Sequence, residues 1–273
     1  MTILIDTQDK EGLIYKISSV ILKMNCNIQK NDEFVDRESN HFFMRTQIET
    51  NENILKDEIY TNLKEALPKN SNIKIFDNNK KSIVILCSKE AHCLGDILMK
   101  YDTKEIDVEI KGIISNHTNL EYLAEKFNIP YFHISHTESN WRERTLQQCK
   151  ILNPSIIILA KYMQILPPEF VKEFQNQIIN IHHSFLPAFI GANPYKQAFD
   201  RGVKMIGATA HFVSDELDCG PIICQDIIQV NHTYTWRDMQ KVGKTIERVV
   251  LANAIELAIE NRIFIHQNKT IIF

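Results

Sequence analysis

The spacing of apolar positions changes several times in the first quarter of the chain, and each change marks an element. Residues 1–6 alternate imperfectly, as a half-buried strand does. After the turn Asp9-Lys10-Glu11-Gly12, apolar residues fall at Leu13, Ile14, Ile17, Val20, Ile21 and Met24. Those steps of three and four predict one helix stripe. Residues 26–35 and 41–48 read as strands joined by the polar turn Asp36-Arg37-Glu38-Ser39-Asn40. A second helix is predicted from Ile54 to Leu67, with Leu55, Ile59, Leu63 and Ala66 on one face and Pro68 ending it. Ile73 to Phe76 is a short last strand, so the order is βαββαβ. The polar stretch Asp77-Asn78-Asn79-Lys80-Lys81 follows, which places a domain at 1–77, a linker at 78–81 and a second domain at 82–273.

The second domain has a different pattern. Ile83-Val84-Ile85-Leu86 and Ser155 to Leu159 are continuous apolar runs. Such runs suit strands buried on both faces of a parallel sheet. Val108 to Ile114, Tyr131 to Ile134 and Gln177 to Ile181 are further strand patterns. Helical segments start near Cys93 and cover Leu120 to Phe127, Trp141 to Leu152 and Pro168 to Phe174. Strands alternating with helices predict an α/β fold with a doubly wound, mainly parallel sheet. Gly207 to Val213 and Gln225 to Val230 add two strands, Trp236 to Glu260 a long amphipathic helix, and Ile263 to Phe273 a strand-like tail.

Composition narrows the partners. The 273 residues are 44% hydrophobic and 24% charged, with a formal net charge of −3. That balance gives no broad attraction to nucleic acid or to an anionic membrane. No apolar run is long enough to span a bilayer, and no basic segment precedes an apolar one at the N-terminus. The six cysteines, at 26, 87, 93, 149, 219 and 224, include no C-x-x-C pair and suit a reducing compartment. The expectation is a cytoplasmic protein.

Candidate chemistry concentrates between Ile178 and Asp226. Asn180 and His182 are two apart in a strand and project to the same side at its end. A loop punctuated by Pro187, Gly191 and Pro194 follows, and a later acidic loop, Ser214 to Pro221, carries Asp218. An amide N–H can donate to an oxygen turning negative, an imidazole can hold or move a proton near neutral pH, and a carboxylate can fix the imidazole's charge. A turn-forming Asn, a packed His ring and an Asp helix cap account for the same spacing. His183 is expected to face away from His182, so no joint metal site is expected. His211 reads as a buried ring partnered by its surroundings, and Cys93 beside His92 has no third group to make it a nucleophile.

The segments NIHHSFLPAFIGANPYKQA and GATAHFVSDELDCGPIICQD closely resemble the folate-dependent formyltransferase family, and within it the formyltetrahydrofolate deformylases. His182-His183, Lys89 to Leu98, Ala160-Lys161-Tyr162-Met163 and Asn268 to Ile272 carry the likeness across nearly the whole chain. It implies a formyltransferase fold and hydrolysis of 10-formyltetrahydrofolate to formate and tetrahydrofolate. That activity balances one-carbon folate pools and supplies formate for purine synthesis, with folate and water as the reactants and neither cofactor nor metal. Asn180 is then the oxyanion donor, His182 a second donor and proton carrier, and Asp218 the group that orders water and sets the charge of His182. Met163, Gln164, Ile165 and Leu166 form the pterin slot, with Val213 and Ser214 opposite; Gln164 stands where close relatives are expected to carry arginine. The alternative is a transferase using an amine acceptor, glycinamide ribonucleotide or a sugar amine. Against it, the loop Cys87 to Cys93 lacks the glycines that cradle a phosphate, and Glu90 would repel one. The first domain has a ferredoxin-like order and, with Gly12 opening its helix, resembles an ACT module. That implies a homo-oligomer and a small amino-acid effector near Asp9, Gly12 and Leu13.

Overall fold

The computed structural model describes residues 1–50, 55–188 and 193–273. Ile54, the expected first residue of the second helix, and Gly191 lie outside them. The chain divides into two compact units, residues 1–79 with Phe273, and residues 80–272.

In the first unit β1 (Thr2–Gln8), α1 (Leu13–Lys23), β2 (Asn27–Asp36), β3 (His41–Glu49), α2 (Lys56–Ala66) and β4 (Asn72–Phe76) follow in order. The sheet order is β2-β3-β1-β4 with every pair antiparallel, a ferredoxin-like arrangement. Ile3 and Ile5 of β1 and Met44 of β3 pack with Ile17 and Ile21 of α1 and Ile59 and Leu63 of α2. Ile14 and Leu55, both assigned to the buried stripes, are instead 46% and 71% exposed. Gly12 precedes α1 in the left-handed region at φ 80°, and Ile14, about 100° round the helix from Leu13, lies just past the edge of the buried stripe of Leu13, Ile17, Val20 and Ile21. Leu55 precedes the first turn of α2 with extended backbone, outside the helical repeat.

The second unit is built from β5 (Lys81–Cys87), α3 (Ala91–Asp102), β6 (Val108–Ser115), α4 (Glu121–Lys126), β7 (Tyr131–His133), α5 (Trp141–Leu152), β8 (Ile156–Ala160), α6 (Pro168–Glu173) and β9 (Ile178–His182). There follow α7 (Pro194–Arg201), β10 (Met205–Phe212), β11 (Ile222–Gln229), α8 (Trp236–Ile259) and the hairpin β12 (Ile263–His266) and β13 (Lys269–Ile272). The large sheet runs β11-β10-β9-β8-β5-β6-β7. Its strands β9 to β7 are parallel, while β10 is antiparallel to both of its neighbours. Because side chains alternate across a strand, Ile83 and Ile85 enter one core with α3 and α8. Val84 and Leu86 enter the other with α5 and α6. Both faces are covered, which is why these strands show no polar alternation. β11 starts three residues before the expected Gln225, and the C-terminal tail is a hairpin rather than one strand. Gln267 at φ 56° makes that turn.

Candidate active site

The strand order reverses between β5 and β8: the chain moves outward from β5 through β6 and β7, then resumes on the other side with β8 and β9. Open α/β sheets bind ligands off the strand ends at this point. Buried Ser88, just past β5, donates its hydroxyl to Asn116 Oδ1 at 2.7 Å and accepts from the Met163 N–H at 3.0 Å. This pins the loop after β8, which leaves the strand through Lys161 at φ 62°. Met163, Gln164, Ile165 and Leu166 line one side of a cavity of about 550 Å³, with Val213 and Ser214 also in its wall. Leu166 is buried, whereas Met163 and Ile165 are 61% and 67% exposed, an apolar lip suited to a flat aromatic ligand.

Asn180, His182, His211 and Asp218 line the same cavity. The antiparallel register sets His211 of β10 opposite Asn180 of β9, and the Asn180 Nδ2 lies 3.2 Å from His211 Nε2. The His211 Nδ1–H donates to the Phe212 carbonyl at 2.8 Å. Asp218 arrives from the loop after β10 in left-handed backbone, φ 56°. Its Oδ2 lies 3.2 Å from His182 Nδ1 and its Oδ1 3.6 Å from His211 Nε2. Burial alone would raise the Asp218 carboxyl, but the contacts from His182 and His211 outweigh it and hold the group well below the usual carboxylate range. The remaining ring nitrogen, His182 Nε2, is buried and has no hydrogen-bond partner among the described residues. Buried polar atoms seldom stay unpaired, and this one belongs to a side chain on the cavity wall.

Gly220 explains how that loop closes. A Cβ there would lie 1.8 Å from the Phe212 carbonyl oxygen, and the Phe212 N–H donates to the Pro221 carbonyl at 2.9 Å. The loop folds back on the strand end so tightly that only glycine fits. The Asn268 side chain, from the C-terminal hairpin, donates to the Cys219 carbonyl at 3.1 Å and braces the same loop.

Residues 81–255 match the family described as formyl transferase. A formyltetrahydrofolate deformylase of Haemophilus influenzae is 50% identical over 99% of this chain and 98% of its own length. The crystal structure of a formyltetrahydrofolate deformylase from Pseudomonas syringae superposes with a TM-score of 0.95, at 38% identity, over 100% of this chain and 93% of that one. This chain belongs to the formyltetrahydrofolate deformylases. Its second unit also resembles glycinamide ribonucleotide transformylase 1 of Symbiobacterium toebii, with a TM-score of 0.68 and 28% identity, over 72% of this chain and 96% of that one. The deformylase fold is therefore similar to that of a transferase.

Other predicted side chains fall differently. The strand period points His183 away from His182, yet both line the cavity with ring centroids 5.3 Å apart. β9 ends at His182, so the alternation of the strand no longer governs His183. Burial, aided by the Lys161 charge, pushes His183 down to about 4, so it stays neutral at physiological pH. His92 does not pair with Cys93; its Nε2–H donates to Glu247 at 2.9 Å. Cys93 is fully buried and its thiol is pushed far up by that burial, so it is no nucleophile. In the first unit Asp9 and Gly12 lie in the turn before α1, but the Leu13 side chain is buried in the core, so only its backbone could meet a ligand. Lys161, Tyr195 and Glu247, which the sequence did not single out as site residues, also line the cavity.

Proposed function

We propose that this cavity takes 10-formyltetrahydrofolate and passes its formyl group to water, giving formate and tetrahydrofolate, a hydrolysis of a C–N bond. The buried Nε2 of His182, without a partner among the described residues and backed by the Asp218 carboxylate, carries the proposal. The pterin lies along Met163 to Leu166 and Val213 to Ser214. Water attacks the formyl carbon, and Asn180 donates to the carbonyl oxygen as it becomes negative. Asp218 accepts from His182 Nδ1–H, which fixes the ring so that Nε2 faces the reacting atoms. Nε2 takes the first proton of the attacking water, assists the oxyanion as an imidazolium and delivers that proton to the leaving nitrogen. The C–N bond then breaks, and the second proton of the water is released with formate. No metal and no cofactor takes part. Hydrolysis in heavy-oxygen water tests the acceptor directly: formate carrying the label supports the reading, and unlabelled formate refutes it.

The first unit, by its element order and Gly12 turn, is assigned as an ACT module that pairs chains into a homo-oligomer and holds a small amino acid near Asp9, Gly12 and the Leu13 N–H. Among the described residues no helix is long and apolar enough to cross a membrane, and all six cysteines are free. The free cysteines suit a reducing compartment, and the proposal is a cytoplasmic enzyme that acts without nucleic-acid or membrane partners. Its formate supplies purine synthesis, and its turnover balances the folate pools. Sedimentation of the purified protein, with and without added amino acids, tests the assembly.

A further inference from the structure

The cavity does not end at His182. It continues past His183 to Glu90, Tyr195, Gln240, Lys244 and Glu247. With the pterin against Met163 to Leu166, this part of the cavity is left for the reactant that attacks the formyl carbon beside His182. Glu247 projects here from α8 and is only 1% exposed, yet both of its oxygens are occupied. The Tyr195 hydroxyl donates to Oε1 at 2.6 Å, while His92 Nε2–H and Lys161 Nζ approach Oε2 at 2.9 and 3.2 Å. Burial alone would raise the Glu247 carboxyl, but these three partners hold it down at about 2. The Tyr195 ring enters over Gly243, one helical turn before Glu247, where a Cβ would lie 2.1 Å from its hydroxyl oxygen. Nearer solvent, Glu90 is paired with Lys244 at 3.2 Å and lies 3.3 Å from His92 Nδ1.

The chain thus supplies the counter-charge of the two carboxylates at this end, Glu90 and Glu247. Glu247, His92 and Cys93 place possible ligand atoms within 4.8 Å of one another. The Lys161 ammonium already neutralises that cluster, so it is better suited to excluding a cation than to binding one. We propose that Tyr195 and Glu247, held by Lys161 and His92, form a plug at the acceptor end that restricts attack on the formyl carbon to water. An amine needs a carboxylate to hold it and room for its carbon skeleton; the Tyr195 hydroxyl already occupies Glu247 Oε1, and its side chain stands in the cavity wall. Tyr195 and Glu247 are specificity-determining residues, not catalytic ones. In the transfer that the plug suppresses, the amine nitrogen bonds to the formyl carbon and the bond from that carbon to the folate nitrogen breaks. The amine's proton passes to that nitrogen, leaving tetrahydrofolate and a formamide.

This inference rests on the hydrolytic reading, and one experiment separates the two. Wild type and Tyr195→Ala are each given 10-formyltetrahydrofolate with and without glycinamide, and N-formylglycinamide and formate are quantified. The product ratio should rise about tenfold or more in the variant, the scale on which pocket shape discriminates between reactants. Tyr195→Phe, which keeps the ring and frees Glu247 Oε1, should show a smaller rise, and it decides the matter if Tyr195→Ala does not fold. A ratio within about twofold of wild type in a variant that still hydrolyses overturns the plug, as does a wild type that formylates glycinamide equally well. A wild type that releases no formate without amine overturns the hydrolytic reading instead.

Discussion

Replacing Asp218 with asparagine removes a charge while leaving the shape of the site nearly unchanged. The amide oxygen of the new side chain could still accept from His182 Nδ1–H, and its N–H could donate to His211 Nε2. Both partners are within 3.2 to 3.6 Å of the present carboxylate, so the loop keeps its place and folate affinity should change less than about threefold. What disappears is the attraction between the carboxylate and an imidazolium. At 3.2 Å that attraction is about 5 kcal/mol for an effective dielectric of about 20. If about half of it is realised only when His182 gains its proton, turnover falls about a hundredfold or somewhat more. The assay is formate release under saturating 10-formyltetrahydrofolate, with tetrahydrofolate affinity measured separately by calorimetry. Turnover within about threefold of wild type in a folded Asp218→Asn protein would refute the role given to this carboxylate.

Three further outcomes follow from particular residues. Gly220→Ala brings a Cβ against the Phe212 carbonyl, and backbone cannot yield as a side chain can. It should lower both Tm and turnover, with a stability loss of roughly 2 kcal/mol or more read by thermal unfolding. The Glu247 carboxyl is lowered from 4.5 to about 2 in the fold, so its contribution of roughly 3 kcal/mol is present above pH 4.5 and is lost as pH falls towards 2. Glu247→Gln should therefore flatten the acid limb of a stability–pH curve in that window, and an unchanged slope would contradict the assigned pairing. Phe170 is fully buried beneath the large sheet, so Phe170→Ala should cost about 3 to 5 kcal/mol in chemical denaturation.

Much of the architecture could be read along the chain because burial leaves a periodic record. The unbroken apolar runs of β5 and β8 announced a sheet covered on both faces, and the cores on either side contain their alternate residues. The period of two placed Asn180 and His182 together, and both line the cavity. The same rule failed one residue later, at His183, because the strand stops there. Ile14 failed for a different reason: the spacing of a wide apolar stripe does not tell which of its edges faces the core. The plug was not singled out because its members are far apart in sequence, from His92 to Glu247. A faint signal was present in α8, where Met239, Gly243, Ile246, Glu247, Val250 and Leu251 form the buried stripe. A carboxylate within such a stripe must have partners, but periodicity cannot identify Tyr195 and Lys161 as those partners.

Release of formate and tetrahydrofolate from 10-formyltetrahydrofolate in buffer free of any amine tests the central claim most directly. Sustained turnover under those conditions, abolished by removing the His182 imidazole in His182→Ala, is the predicted result. No release until an amine is added would show that water is not the acceptor and would contradict the account.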